Sequence, residues 1–439
     1  MAHITKVKLS NVKKFKSFET ILDPLVNTLI GDNEAGKSTI LTAIELVLSG
    51  SKSKVDTLGL EALLNADVVS EFLGSAKNIT DLPTLHIEIY LSQGIKPELN
   101  GRVNSDGVPS DGLQLICEPN DELSSEIQLV LDNGGDNFPY EFYVAKFTTL
   151  SGESYSGYRK FMSHLSIDST QINNEYANNQ YVKAMYEAEV EQPQRYSLQN
   201  EYRQQKKLFK ETKLNVINDG LHEYDFAIRS GSKFNLETDL TLIEGGIQLE
   251  NRGKGKQCFI KTAFALRERE ANKTLDVLLL EEPENHLSHT SMNKLICHIQ
   301  KAHNNQIIIA THSSLICSRL DLRKSILLNS ASSTPAKLND LSSETAKFFI
   351  KAPNHNILEL VLSKKVILVE GDAEYILMES LYEKVTGNSP AEDGIHIISV
   401  GGTSFKRYME LSKLLNIRTA VIRDNDKDYQ KNCIDNYAA

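Results

Sequence analysis

Alternating and clustered hydrophobic positions predict a sheet-rich framework for much of the chain. Strict alternation over Ile4–Ser10 and Thr84–Leu91 predicts half-buried strands. The short apolar runs Asn27–Ile30, Leu275–Leu280 and Gln306–Ala310 are typical of fully buried strands. Further strands are predicted at Leu113–Cys117, Glu126–Leu131, Tyr140–Lys146 and Phe234–Ile243. We therefore interpret residues 1–154 and 231–330 as two lobes of one sheet-centred domain.

Between these lobes the pattern becomes helical. In residues 155–230, Gln, Asn, Lys, Glu and Tyr dominate, and Gly and Pro are scarce. Arg195–Asn218 has the spacing of a single long helix. The segment is therefore predicted to be an all-helical insertion, which is a candidate for dimer contacts or for a substrate arm.

The last part of the chain alternates strands with helices. A linker is predicted over residues 331–362, because residues 329–343 are rich in Ser, Asn and Pro. After it, residues 363–439 show strand and helix patterns in strict alternation, which predicts βαβ units and a parallel sheet. The predicted elements are Val366–Val369, Glu374–Lys384, Ile395–Val400, Ser404–Leu415 and Thr419–Ile422.

Composition narrows the class of protein. A chain of 439 residues is long enough for about two or three domains. Its five cysteines include no C-x-x-C pair, which fits a reducing compartment. No run approaches the roughly 18 apolar residues of a membrane helix, and the N-terminus lacks an apolar signal region. We therefore expect a cytoplasmic protein without a membrane partner. A net charge of −10 argues against a dedicated nucleic-acid coat, although a local basic patch or a bound metal can override a global average.

The segment Gly31–Ser38 fits the pattern G-x-x-x-x-G-K-[ST] of a phosphate-binding loop. Its glycines let backbone N–H groups converge on phosphates, Lys37 can reach the β- and γ-phosphates, and the Ser38 hydroxyl can hold Mg²⁺. A buried strand precedes the loop and a helical pattern follows it, so the helix N-terminus would also favour the phosphate charge. The alternative is a chance match in a glycine-containing turn. The predicted nucleotide-binding residues are Gly31, Asp32, Asn33, Glu34, Ala35, Gly36, Lys37, Ser38 and Thr39.

Two later motifs supply what a phosphate-binding loop needs for hydrolysis. The run Val277–Pro283 is a buried strand that ends in two carboxylates, at the strand end where ligands lie in α/β sheets. Glu281 would act on Mg²⁺, and Glu282 would polarise the attacking water. His312 follows the next buried strand and could sense the γ-phosphate. A lone histidine is more often structural. His312 is a candidate because it follows the phosphate-binding loop and the Glu281–Glu282 strand end in the expected order.

Together these motifs resemble the ATP-binding-cassette (ABC) superfamily of P-loop ATPases, which includes repair and chromosome-maintenance proteins. Most members have Asp where this chain has Glu281, and the usual Ser-Gly-Gly signature loop is represented here by Asn251–Gln257. Arg252 and Lys254 of this loop could supply charge to a γ-phosphate held by a second subunit, and the resemblance makes Arg252, Gly253 and Gly255 nucleotide-binding residues. It also implies ATP and Mg²⁺ as ligands, and a homodimer or higher oligomer joined through the ATPase heads.

Two acidic clusters point to a second chemistry downstream. Glu370 ends a predicted strand and Glu374 lies one helical turn further, while Asp424 and Asp426 follow the last predicted strand. Both clusters lie at the C-terminal ends of parallel strands, so they could converge. Hard oxygen ligands suit Mg²⁺ or Mn²⁺, which can support attack on a phosphodiester. The alternative is a solvated acidic loop after each strand.

The second pattern looks like a Toprim domain, and an ABC-type head followed by Toprim resembles the OLD (overcoming lysogenization defect) family of nucleases. The predicted fold class is therefore α/β: an ABC-type P-loop ATPase head with an α-helical insertion, followed by a Rossmann-like Toprim sheet. The resemblance implies metal-dependent DNA cleavage and, often, bacterial defence against phage. It implies that Glu370, Asp424 and Asp426 are catalytic. It also implies that these three residues and Glu374 are metal ligands.

Three readings of function stay open at this point. The first is an ATP-regulated DNA nuclease, which could also bind a partner defence protein or a nucleic-acid component. The second is a DNA-associated ATPase whose Toprim part is a scaffold or docks a partner. The third is a nucleotide-sensing module with little turnover. Because the chain ends thirteen residues after Asp426, we also expect the Toprim domain to be truncated.

Overall fold

The structure is a computed structural model of the chain. It describes residues 2–439 except 133–136, 158, 160, 170–174, 220–224, 230–234, 267–274, 303–304, 330–331, 352–356, 403, 425–427, 431–433 and 435–439. The chain divides into two compact units. The first comprises residues 161–305 and is called the insertion unit. The second comprises residues 2–160 and 306–439 and is called the main unit.

The secondary structure follows the order of the chain. The strands are β1 (Ile4–Val12), β2 (Phe15–Ile21), β3 (Val26–Gly31), β4 (Leu85–Leu91), β5 (Asn100–Gly101), β6 (Ser110–Pro119), β7 (Tyr143–Thr149), β8 (His164–Asp168), β9 (Ile243–Glu244), β10 (Ile247–Gln248), β11 (Val277–Glu281), β12 (Gln306–Thr311), β13 (Ser325–Asn329), β14 (Ser332–Lys337), β15 (Lys365–Val369), β16 (Ile395–Ser399) and β17 (Arg418–Ile422). The helices are α1 (Lys37–Ser49), α2 (Lys52–Leu58), α3 (Leu60–Leu63), α4 (Ala66–Leu73), α5 (Ser124–Asp132), α6 (Glu175–Glu189), α7 (Gln192–Phe209), α8 (Asn215–Asn218), α9 (Leu236–Asp239), α10 (Lys254–Ala265), α11 (His289–Lys301), α12 (Ser314–Arg319), α13 (Ser343–Lys351), α14 (Ile357–Leu362), α15 (Asp372–Thr386) and α16 (Phe405–Leu414).

An antiparallel sheet forms the first part of the main unit. Its strands run in the order β2-β1-β4-β6, and β5 and β7 also pair with β6. Both predicted strands are confirmed, and the register pairs Val7 with Ile89. β1 is half-buried as predicted, whereas β4 is buried on both faces, since every residue of it except His86 is buried. The predicted strand Glu126–Leu131 is wrong. That segment lies in α5, where Ile127 and Leu131, four residues apart, are buried on one helical face.

A second sheet of the main unit carries the nucleotide loop. In it, β3 pairs in parallel with β12 on one side and with β13 on the other, and β14 pairs antiparallel with β13. Helix α1 follows β3, as predicted. Residues 331–362 were predicted to be a linker, but they contain β14, α13 and α14. Their apolar residues Phe349, Ile357 and Leu360 are fully buried, so this segment is part of the core.

The last part of the main unit is a parallel sheet with helical crossovers. β15 pairs with β16 and with β17, while α15 joins β15 to β16 and α16 joins β16 to β17. This confirms the predicted βαβ order. One buried cluster runs from Ile30 of β3 through Phe349 to Leu368 of β15 and Tyr408 of α16. The sheet that holds the nucleotide loop therefore shares a hydrophobic core with the sheet that follows it.

The insertion unit is helical around a pair of parallel strands, β8 and β11. The prediction of an all-helical segment over residues 155–230 misses β8, which finds its partner more than 100 residues along the chain. The long helix is confirmed: α7, a π-helical turn at Lys210–Leu214 and α8 follow one another without a break. The predicted strand Phe234–Ile243 is wrong over residues 235–242, where Asn235 caps the short helix α9 through Thr238, and only Ile243 lies in a strand, β9. Among the described helices, none is long and apolar enough to span a membrane.

Candidate nucleotide and carboxylate sites

Two glycines shape the phosphate loop in the main unit. β3 ends at Gly31, and α1 begins directly after Gly36, which has a φ of 97°. A Cβ atom on Gly36 would lie 2.4 Å from Cζ of the buried Phe15, and one on Gly31 would lie 2.6 Å from the carbonyl oxygen of Leu328. Only glycine fits these two positions: Gly36 has a left-handed backbone as well as a close neighbour, and at Gly31 the close neighbour alone leaves no room for a side chain.

Lys37 points back over this loop. Its Nζ donates to the carbonyl oxygens of Gly31 at 2.8 Å and of Asp32 at 2.9 Å, and its side chain is buried. The lysine is thereby held at the centre of the loop, where the N–H groups of its ammonium could donate to a bound phosphate. Of the remaining predicted residues, Asp32, Asn33, Glu34 and Ala35 form the loop, and Ser38 and Thr39 lie in the first turn of α1. Ala35 and Thr39 are buried, whereas Asp32, Asn33, Glu34 and Ser38 are exposed.

His312 lies at the same edge of the sheet as the loop. The register of β12 with β3 pairs Thr311 with Ile30, so His312 stands beside Gly31, one residue beyond that pair. The backbone here is fixed, because the N–H of Ser313 donates to the buried Thr311 hydroxyl at 2.9 Å and Ser313 caps α12. The structure therefore places the half-buried His312 next to the phosphate loop, as its predicted role requires.

The predicted strand that ends in Glu281 and Glu282 lies in the insertion unit. Val277–Leu280 are fully buried in β11, Glu281 ends the strand half-buried, and Glu282 takes a left-handed φ of 48°. The register of β11 with β8 places Asp168 beside Glu281. Asp168 is a carboxylate that the sequence reasoning missed, although the alternation over residues 164–168 could have pointed to a strand ending there.

The signature-like loop packs against the turn that follows Glu282. A Cβ atom on Gly255 would lie 2.0 Å from the carbonyl oxygen of His286, so the first turn of α10 touches that turn directly. Cys258 of α10 reinforces the contact, since its Sγ lies 3.6 Å from the carbonyl oxygen of Pro283. Arg252 is engaged within the unit, because it donates to the carbonyl oxygen of Glu244. Gly253 has open space where a side chain would stand.

The predicted Toprim carboxylates end two neighbouring parallel strands. Val369 of β15 pairs with Ile422 of β17, so Glu370 and Arg423 emerge side by side and Asp424 follows. Glu370 Oε2 lies 3.8 Å from Arg423 Nε. Asp424 is exposed. Asp426 lies outside the described residues.

Glu374 has a structural role in this region. One of its carboxylate oxygens, Oε2, accepts a hydrogen bond from the N–H of Gly371 at 3.0 Å and caps the N-terminus of α15. Such a cap satisfies a helix donor that would otherwise have no partner in the helix. The predicted ligand role of Glu374 stays a prediction, in which only the other oxygen would be available without breaking the cap.

The oxygen chemistry of the strand ends fits a divalent metal. Glu370 Oε2 is buried and accepts no hydrogen bond from the residues that the structure describes, and the Asp424 carboxylate follows on the adjacent strand. Carboxylate oxygens of this kind are the ligands that Mg²⁺ and Mn²⁺ prefer. Within the described part of the chain, no group of three or more metal-binding side chains is assembled. The full ligand set therefore remains a prediction.

A phosphate loop between parallel strands, followed by strand-end carboxylates on a βαβ sheet, defines a P-loop ATPase joined to a Toprim domain. The AAA ATPase domain family model matches residues 3–231, which is more than half of the chain. A second model, "AAA domain, putative AbiEii toxin, Type IV TA system", matches residues 191–318. The "overcoming lysogenization defect protein-like, TOPRIM domain" model matches residues 361–426. The chain belongs to the AAA ATPase domain family and has the ATPase–Toprim organisation of the OLD family.

Two curated relatives are similar to part of the chain. The Old nuclease of Escherichia phage P2 is 24% identical over 170 residues, which are 36% of this chain and 29% of that protein. Endonuclease GajA of Bacillus cereus (strain VD045) is 27% identical over 158 residues, which are 35% of this chain and 27% of that protein. The similarity thus spans less than a third of the length of either curated relative.

Solved ATPase heads also match the chain. An SMC head bound to the C-winged helix domain of ScpA matches with 13% identity and a TM-score of 0.42, over 77% of this chain and 98% of the head. The fold class rests on the family models and on the strand topology described above. AAA ATPase and Toprim domains as classes use a nucleotide and a divalent metal.

Proposed function

We propose that the chain binds and hydrolyses ATP and uses it to control a divalent-metal-dependent DNA endonuclease of the OLD type. The observation that carries the proposal is the placement of Glu370. Its buried Oε2 lies at the end of a parallel strand, beside the strand that leads into Asp424, in the same chain as a complete phosphate loop. Nucleotide sensing alone does not require a half-buried carboxylate at this strand end, whereas a metal-dependent nuclease does.

At the nucleotide site, each residue has a proposed task. Lys37 binds the β- and γ-phosphates, and Ser38 and Glu281 act on Mg²⁺. Glu282 polarises the attacking water, and His312 senses the γ-phosphate. Two ATPase heads associate in a homodimer or higher oligomer, in which the residues of the signature-like loop contact the nucleotide of the other subunit. These residues are Arg252, Gly253 and Gly255.

At the carboxylate site, Glu370, Asp424 and Asp426 hold Mg²⁺ or Mn²⁺, with Glu374 contributing through the oxygen that its cap leaves over. A bound divalent ion would activate water and stabilise the leaving oxygen of a phosphodiester. The protein contributes by fixing the carboxylates at adjacent strand ends. We propose DNA as the substrate, the cytoplasm as the location and defence against phage as the biological role.

A nicking assay tests the nuclease. Supercoiled plasmid is incubated with the chain and Mn²⁺ or Mg²⁺, with and without ATP. We expect nicking by the wild-type chain and loss of nicking in Glu370→Gln. The matched control is Glu379→Gln, which removes the same charge from an exposed position of α15. Plasmid that stays intact under all conditions, while ATP is hydrolysed, would favour the alternative of an ATPase with a Toprim scaffold.

Nucleotide binding is tested separately. Lys37→Ala should weaken ATP binding by about 100-fold, or ~2.7 kcal/mol, because the ammonium at the centre of the loop is lost. Lys52→Ala, at an exposed position, should bind ATP as the wild type does. Glu282→Gln should bind ATP and hydrolyse it slowly. Unchanged turnover in both Lys37→Ala and Glu282→Gln would show that the ATPase assignment is wrong.

A further inference from the structure

Arg423 lies between the two predicted parts of the carboxylate site. It directly precedes Asp424, and the register of β15 with β17 places it beside Glu370. Its Nε lies 3.8 Å from Glu370 Oε2. The Arg423 side chain is 10% exposed and that of Glu370 is 24% exposed, so water screens this pair only weakly.

A guanidinium in this place competes with a metal ion for the same oxygen. An arginine keeps its positive charge at every accessible pH. Beside a partly buried carboxylate it neutralises the charge that would otherwise attract a divalent ion, and it repels that ion. An unpaired carboxylate in a partly buried position would lower the free energy of unfolding, so the arginine also stabilises the metal-free form.

We propose that Arg423 is a built-in counter-ion of Glu370 that lowers the divalent-metal affinity of the carboxylate site. Metal binding then requires Arg423 to release Glu370, which leaves the guanidinium at the site edge, where a DNA phosphate could accept its N–H groups. This inference rests on the proposed metal site, and it adds an affinity-setting residue that the sequence motifs do not contain.

The experiment measures Mn²⁺ binding to the full chain by titration calorimetry, without nucleotide or DNA. We expect Arg423→Gln to bind Mn²⁺ about tenfold more tightly than the wild type, a difference of about 1.4 kcal/mol. The charge-matched control is Arg418→Gln, at the exposed start of the same strand, which should bind as the wild type does. Arg423→Lys keeps the charge and should stay close to the wild-type affinity. Thermal melts of each variant check that the fold is retained.

The outcomes separate the inference from the proposed function. Equal or weaker Mn²⁺ binding by Arg423→Gln would overturn the inference. Equal tightening by Arg423→Lys would also overturn it, because the charge would then not be the cause. Adding Glu370→Gln to the wild type and to Arg423→Gln should abolish the binding in both. If Mn²⁺ binding is indifferent to Glu370→Gln, the metal site itself is wrong.

Discussion

Replacing Gly36 by alanine should damage the nucleotide loop in two separable ways. The first is backbone strain, because Gly36 has a φ of 97°, and such a conformation costs a non-glycine residue about 1–3 kcal/mol. The second is a clash, because the new Cβ would lie 2.4 Å from Cζ of Phe15, a ring that is 1% exposed and cannot swing away. Overpacking of this kind costs about 1–3 kcal/mol. We therefore expect Gly36→Ala to lower the free energy of unfolding by about 2–6 kcal/mol.

Gly59 isolates the first of these terms. It has a φ of 79°, and nothing lies within 4 Å of a Cβ placed on it. Gly59→Ala should therefore cost only the backbone term, about 1–3 kcal/mol. The measurement is urea unfolding of the full chain, with binding of a fluorescent ATP analogue as a second readout, which only Gly36→Ala should weaken.

A double-mutant cycle then tests the clash directly. Phe15→Leu shortens the ring that meets the new methyl group, so the Gly36→Ala/Phe15→Leu protein should be more stable than the sum of the two changes by about 1 kcal/mol or more. If Gly36→Ala costs no more than Gly59→Ala, or if the cycle is additive, the contact with Phe15 does not constrain the loop and this reasoning is refuted.

Three further changes test single contacts. Gly255→Ala should lower the free energy of unfolding by about 1–3 kcal/mol and slow ATP turnover, because its Cβ would lie 2.0 Å from the carbonyl oxygen of His286. Gly253→Ala, which has open space around its Cβ, should be as stable as the wild type. Equal unfolding midpoints of the two variants would contradict this expectation. Two lysines of β1 lower the pKa of Asp106 to about 2, so its contribution to stability is present above about pH 4 and is lost as the pH falls toward 2. Because this is a surface cluster, Asp106→Asn should cost less than about 1 kcal/mol at pH 7 and flatten the acid limb of a stability–pH curve. Glu374→Ala should cost about 0.5–2 kcal/mol through loss of the α15 cap, while Glu374→Gln should keep the cap; a Glu374→Gln protein as unstable as Glu374→Ala would show that the charge, not the hydrogen bond, is required.

The features predictable from the sequence are those that short segments determine. The phosphate loop needs only its own glycines and Lys37 on a strand–loop–helix, and the structure has that arrangement. The strand β15, which leads into Glu370, is likewise marked by its own apolar run. By contrast, Glu126–Leu131 has both alternating and helical apolar spacing, and only the burial of Ile127 with Leu131 selects the helix.

The features that the sequence could not provide depend on distant partners. β8 is stabilised by β11, so nothing local marks Asp168 as the neighbour of Glu281. The role that we infer for Arg423 depends on the strand register, which brings it beside Glu370 and cannot be read from the local sequence. The segment at residues 331–362 has the composition of a linker, yet its apolar residues are buried against elements on either side of it in the chain.

The shared core of the main unit has a consequence for residues 363–439. Leu368 of β15 and Tyr408 of α16 are fully buried in a cluster that also contains Ile30 and Phe349, and the Tyr408 ring packs edge-on against that of Phe349 at 5.2 Å. Expressed without the rest of the chain, residues 363–439 would expose these side chains to water, and the lost burial is worth about 1.5–3 kcal/mol for each large apolar residue. We therefore expect this fragment to be unfolded or aggregated by circular dichroism, and a cooperative thermal melt of the fragment would contradict the inference. The carboxylate site then exists only as part of the unit that also holds the phosphate loop, so the core itself supplies a physical link between the two sites.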